Sequence, residues 1–147
     1  MLRAISGILI FLIGCQAPKY PEPVPVYTLS TSFDRSNIDQ YLITLLGELD
    51  HEEAHALFYK GHTFVGSAKL AEGGIDNVQY NMYSALLQCA ALQCDGVVLA
   101  HNHPSGYFAQ PSVIDVKSAK TSWAYLNTYK IELITSIVVA RYDTRWY

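Results

Sequence analysis

The stretch HNHPSGYFAQPSVID, residues 101–115, holds two histidines one residue apart, a Pro-Ser-Gly turn, and a serine three residues before an aspartate. In an extended segment, residues i and i+2 project to the same side, so His101 and His103 can aim two imidazoles at one point. Asp115 can add a carboxylate, which makes a His-His-Asp set with a fourth position left for water. That is the ligand economy of a catalytic zinc site, and the chemistry it offers is hydrolysis. Each part also has a bland use. Ser112 and Asp115 fit a capping box behind Pro111, and a lone histidine at a strand end is often only a satisfied polar residue.

A second pattern competes. His51-Glu52-Glu53-Ala54-His55 matches H-E-x-x-H, which binds zinc through His51 and His55 and activates water with Glu52 when it lies on a helix. Asp50 can cap such a helix. However, Leu57-Phe58-Tyr59 and Lys60-Gly61 would end it almost at once. The same residues read better as the start of a strand.

The elements that must position these groups follow from hydrophobic periodicity. Ser36-Asn37 can cap a helix with Ile38, Tyr41, Leu42, Leu45 and Leu46 on one face, ending near Leu49. Ala54 to Tyr59 and Thr63 to Leu70 flank the turn Lys60-Gly61-His62 as a hairpin. A helix is expected from Asp76 to about Gln93, with Val78, Met82, Leu86 and Cys89 along one stripe. Gly96 to Ala100 is a continuous apolar run entering His101, the pattern of a strand buried on both faces. Pro111-Ser112 opens a helix to about Tyr129, and Ile131 to Ala140 is the last expected strand. The order α-β-β-α-β-α-β implies an α/β fold with helices packed around a mixed sheet.

Here the sequence resembles a known family. H-x-H-P-S-G followed by P-S-x-x-D is the metal motif of JAB1/MPN (JAMM) domains, and the His-Asn-His-Pro-Ser-Gly form is similar to their RadC-like bacterial branch. The resemblance covers about Ser36 to the C-terminus. It implies a three-layer α-β-α sandwich of the JAB1/MPN, cytidine-deaminase-like, type. It also implies one zinc ion held by His101, His103 and Asp115, with Ser112 hydrogen-bonding the developing oxyanion. A glutamate from an earlier strand would move the proton of the zinc water. Glu53, opening Glu53-Ala54-His55-Ala56-Leu57-Phe58-Tyr59, matches that position, with Glu52 as its neighbouring fallback. The sequence departs from the family at one point: eight residues separate His103 from Ser112, one more than usual.

The implied activity is metal-dependent hydrolysis of a peptide or isopeptide bond, with the DNA-repair label of the RadC-like branch attached. The alternatives are a non-catalytic binding domain of the same fold and, less well supported, the zincin-type peptidase of His51, Glu52 and His55. A net charge of −3 gives no basic surplus for phosphates, so nucleic acid is a weakly supported partner.

Residues 1–15, MLRAISGILIFLIGC, have the layout of a bacterial signal peptide, and Leu12-Ile13-Gly14-Cys15 resembles a lipobox that would leave a lipid on Cys15. The expected address is then the cell envelope, with the cytoplasm as the alternative if the signal is not used. Residues 16–34 read as a tether, since Gln16 to Tyr27 holds four of the six prolines. Residues 35–147 are the expected folded domain. Half of the chain is hydrophobic, enough to bury a core without staples. Cys89 and Cys94 are read as small core hydrophobes, a reading that leaves their pairing open.

Overall fold

A computed structural model of the chain describes residues 32–73 and 81–147. The signal-like segment, Cys15, nearly all of the tether and the first residues of the second expected helix lie outside these residues. The described elements run α1 (Arg35–Leu46), β1 (Glu53–Lys60), β2 (Thr63–Glu72), α2 (Met82–Leu92), β3 (Gly96–Asn102), α3 (Val113–Thr128), β4 (Glu132–Ala140) and β5 (Asp143–Trp146). No described helix is long and apolar enough to cross a membrane.

The strands form one sheet in the order β2-β1-β3-β4-β5. Only β3 and β4 pair in parallel; the other neighbours are antiparallel, so the sheet is mixed. Strand alternation divides the core. Leu57 and Tyr59 of β1 join Val98 and Ala100 of β3 against Ile38, Leu42 and Leu46 of α1. Ala56 and Phe58 join Val97 and Leu99 on the opposite face, against Ala85 and Cys89 of α2 and Leu126 of α3. This is the expected three-layer α-β-α sandwich. Strand β3 is buried along its whole length because it lies between β1 and β4 in the sheet and between helices above and below.

Local chemistry sets the ends of the elements. The cap of α1 is Asp34, whose Oδ1 accepts from the Ser36 amide at 2.9 Å, and not the expected Ser36-Asn37 pair. The helix ends at Leu46 rather than near Leu49, and Gly47, its C-cap, sits against the turn after β4 where a Cβ would lie 2.8 Å from the Arg141 carbonyl oxygen, so only glycine fits there. Helix α2 is capped by Asn81 and ends in left-handed Gln93. Across that bend, Cys89 of α2 and Cys94 are joined by a disulfide, which settles the pairing left open; Cys89 is buried in the core as expected and Cys94 packs against it. Strand β5 was not expected. Its four residues alternate exposed and half-buried, and Thr144 Oγ1 and Trp146 Nε1 each donate to Asp39 Oδ1 of α1 at 2.7 Å. A side chain on a distant helix fixes that edge, which local periodicity does not reveal.

Candidate metal centre

The sheet delivers His101 at the carboxyl end of β3, where it is still buried between β1 and β4. The backbone stays extended through His103, whose amide donates to the Val139 carbonyl of β4 at 2.9 Å. Both imidazoles therefore leave on one side. Helix α3 brings the third group. Ser112 caps it, its Oγ accepting from the Asp115 amide at 3.1 Å, while Asp115 Oδ2 accepts from the Ser112 amide at 2.6 Å. The reciprocal box starts α3 and holds the carboxylate in place.

Three side chains converge. His101 Nε2 lies 3.1 Å from His103 Nε2 and 3.2 Å from Asp115 Oδ1, and His103 Nε2 lies 3.3 Å from Asp115 Oδ2. Zinc bound tetrahedrally with ligand distances of about 2.0–2.1 Å requires ligand atoms roughly 3.3–3.4 Å apart. The observed triangle matches that spacing to within a few tenths of an ångström. Burial raises the Asp115 pKa, but hydrogen bonds from His101 and from Ser112 outweigh it and hold the carboxyl well below the usual carboxylate range. The His103 pKa is lowered, first by burial and then by the neighbouring His101. An ionised carboxylate beside a histidine that resists protonation is the donor state a divalent cation requires.

The longer loop does not disturb this convergence. Gly106 N–H closes a turn onto the His103 carbonyl at 3.0 Å, and Ala109 is buried against Val138 and Ala140. Between these two anchors the additional length is pushed outward as Tyr107 and Phe108, which are 74% and 80% exposed.

The structure does not bring Glu53 to the triad. Ala54 pairs with His101, so alternation places Glu53 on the opposite face of the sheet. Its Oε2 meets His55 Nε2 at 2.8 Å, and its Oε1 meets His51 Nε2 and Lys69 Nζ, both at 3.2 Å. Burial raises the Glu53 pKa, but its bonds to His55, His51 and Lys69 prevail and lower it. Glu52, the fallback, has the parity of Ala54 and His101 and is buried, with only 7% exposed. Two adjacent acids at a strand's start share one composition signal; only the register separates them.

The zincin alternative fails on the same ground. His55 lies in β1 and His51 just before it, so the pattern is not on a helix, and Glu53 rather than Glu52 joins the two histidines. His51, Glu53 and Glu72 do form a second group of close donor atoms. The Lys69 ammonium already bridges Glu53 and Glu72, at 3.2 and 2.7 Å, and supplies the positive charge that group needs.

The sequence pattern of the RadC-like JAB domain family matches residues 33–146. Among curated proteins, the chain is 32% identical over 108 residues to a UPF0758 protein of Leptothrix cholodnii, covering 71% of this chain and 47% of the relative. It is 29% identical over 119 residues to a UPF0758 protein of Cupriavidus taiwanensis, covering 80% of this chain and 52% of that protein. A UPF0758 protein of Pseudomonas fluorescens is 28% identical over 107 residues, with 72% and 47% covered. The chain thus spans about half the length of the curated relatives it matches.

Proposed function

Because the chain belongs to the RadC-like JAB domain family, we propose that it is a zinc-dependent hydrolase of amide bonds, in a peptide or an isopeptide. The observation that carries this reading is the triangle of His101 Nε2, His103 Nε2 and Asp115, whose edges of 3.1–3.3 Å suit tetrahedral zinc. These three residues would hold the metal. When bound, zinc supplies a Lewis acid for the scissile carbonyl and lowers the pKa of its water to about 7.

The remaining work falls to the chain. Glu52 takes the proton released as the water oxygen bonds to the carbonyl carbon, then returns it to the nitrogen as the carbon–nitrogen bond breaks. Ser112 donates its hydroxyl hydrogen to the carbonyl oxygen as negative charge develops there. A second reading, a non-catalytic binding domain, draws on Tyr107 and Phe108, which present two aromatic rings to solvent in the loop between the ligands. It predicts zinc without turnover.

Metal analysis of the purified protein tests the proposal first. About one zinc per chain is expected, lost on His101→Ala, His103→Ala or Asp115→Ala and kept on His51→Ala. Zinc retained in a His101→Ala, His103→Ala double variant would overturn the assignment. Peptide, isopeptide and single-stranded DNA substrates assayed with and without chelator then separate hydrolase from binding domain.

A further inference from the structure

Asn102 stands between the two histidines and belongs neither to the ligand set nor to the proposed catalytic groups Glu52 and Ser112. It is buried, 1% exposed, at the last residue of β3. Backbone pairing between β1 and β3 ends at Ala54 and His101. Beyond that pair the Asn102 side chain takes over the ladder: its Oδ1 accepts from the Glu53 amide at 2.7 Å, and its Nδ2 donates to the His51 carbonyl at 2.9 Å.

These two bonds fall on the residues immediately before and after Glu52. The Glu52 carbonyl itself accepts from the Gly73 amide, just past β2, at 2.9 Å. The backbone of Glu52 is therefore held from both sides, by Asn102 across β3 and by Gly73 across β2. Without these bonds the segment before β1 has no ladder partner on the β3 side and can rotate or slip. A slip of one residue would exchange the faces of Glu52 and Glu53.

We infer that Asn102 is a positioning residue: its side-chain amide fixes the Glu52 backbone so that the carboxylate stays on the face of the sheet that carries His101. The inference rests on Glu52 being the acid-base group of the proposed hydrolase. A carboxamide is the group this task needs, because one side chain must both accept from an amide and donate to a carbonyl two residues apart. Aspartate can accept from Glu53 but has no hydrogen for the His51 carbonyl when ionised.

The test is a kinetic cycle on the zinc-loaded full chain, using Asn102→Ala, Glu52→Gln and the double variant. Asn102→Ala should keep about one zinc per chain and a KM within about twofold, while kcat falls about ten- to a hundredfold, the scale of loss from a misplaced catalytic group. The double variant should be no slower than Glu52→Gln alone, since a residue that acts through Glu52 has nothing left to lose. In the zinc-free protein, hydrogen exchange at the Glu53 amide should speed up in Asn102→Ala while amides of β4 stay protected. If the alanine variant does not fold, Asn102→Asp serves: it should restore protection at Glu53 and give an intermediate kcat.

A kcat within about twofold of the parent in Asn102→Ala, or a further tenfold loss when Asn102→Ala is added to Glu52→Gln, would overturn the inference. If Glu52→Gln itself turns over normally, the proposed acid-base role falls and takes this inference with it. The single variants thus tell the two failures apart.

Discussion

At the scale of single residues, the offset between Glu52 and Glu53 decides which carboxylate can serve the site. Side chains in a strand alternate faces, so the pairing of Ala54 with His101 gives Glu52 the parity of the His101 face and puts Glu53 on the other, with His55 and Lys69. Glu52→Gln should keep zinc and lose about 10²- to 10⁴-fold in turnover, the usual worth of a general acid-base group. Glu53→Gln should keep turnover within a few-fold and lower thermal stability instead, since it removes a charged partner of His55 and Lys69; side-by-side kcat and melting measurements check both. His55 carries the pH prediction. Burial lowers its pKa against the pull of Glu53, and its Nδ1 has no hydrogen-bond partner. The unfolded chain therefore binds the proton more readily, and stability should fall as pH drops below the unfolded value of about 6.5. In melting curves on zinc-free protein from pH 8 to pH 5, His55→Gln should flatten that slope. Parallel slopes in the two proteins would refute the assignment, because the shifted His103 is common to both.

At the scale of elements, two devices fix the helices that flank the site. The Ser112 capping box both starts α3 and holds Asp115. Ser112→Ala should cost about 1 kcal/mol of stability, typical of a lost N-cap, and weaken zinc binding as well, read by chelator competition. The Cys89–Cys94 disulfide ties the end of α2 to the approach of β3. Closing so short a loop stabilises by roughly 2 kcal/mol in the chain-entropy account. Denaturant midpoints should thus fall on reduction in the parent and stay unchanged in a Cys89→Ser, Cys94→Ser variant. The same elements show what the sequence made legible. Apolar runs and periodicity sufficed for β3 and for the buried stripe of α1, because burial leaves its mark on every turn or rung. The His-x-His spacing and the Ser112-Asp115 cap were legible for the same reason: their partners lie two or three residues away. The choice between Glu52 and Glu53, the role of Asn102 and the existence of β5 were not. Each depends on a partner about fifty or more residues distant: His101 for the acids, the Glu53 amide for Asn102, and Asp39 for Trp146.

At the scale of the whole molecule, the open question is the compartment, and two independent features bear on it. One lies outside the described residues: the apolar run from Ala4 to Gly14 and the lipobox-like Leu12-Ile13-Gly14-Cys15. The other lies inside the domain, where Cys89 and Cys94 are bonded. Structural disulfides persist in oxidising compartments and are rare in the cytosol of mesophiles. We propose that the chain is exported and anchored through a lipid on Cys15, with residues 16–34 as the spacer that carries the hydrolase domain away from the membrane. An envelope address also fits the net charge of −3, which gives no general attraction to nucleic acid and leaves a protein or peptide as the substrate to test first. The protein recovered from bacteria should be in the membrane fraction, begin at a lipid-modified Cys15 by mass spectrometry, and have Cys89 and Cys94 closed to alkylation until reduced. Cys15→Ser should move it out of the membrane fraction while leaving its zinc content unchanged, because the ligands belong to a domain that begins after the tether. An intact Met1 together with two freely alkylated cysteines would place the protein in the cytoplasm and overturn the proposal. The disulfide alone would not rescue it, since a bond that forms only after lysis says nothing about where the chain works.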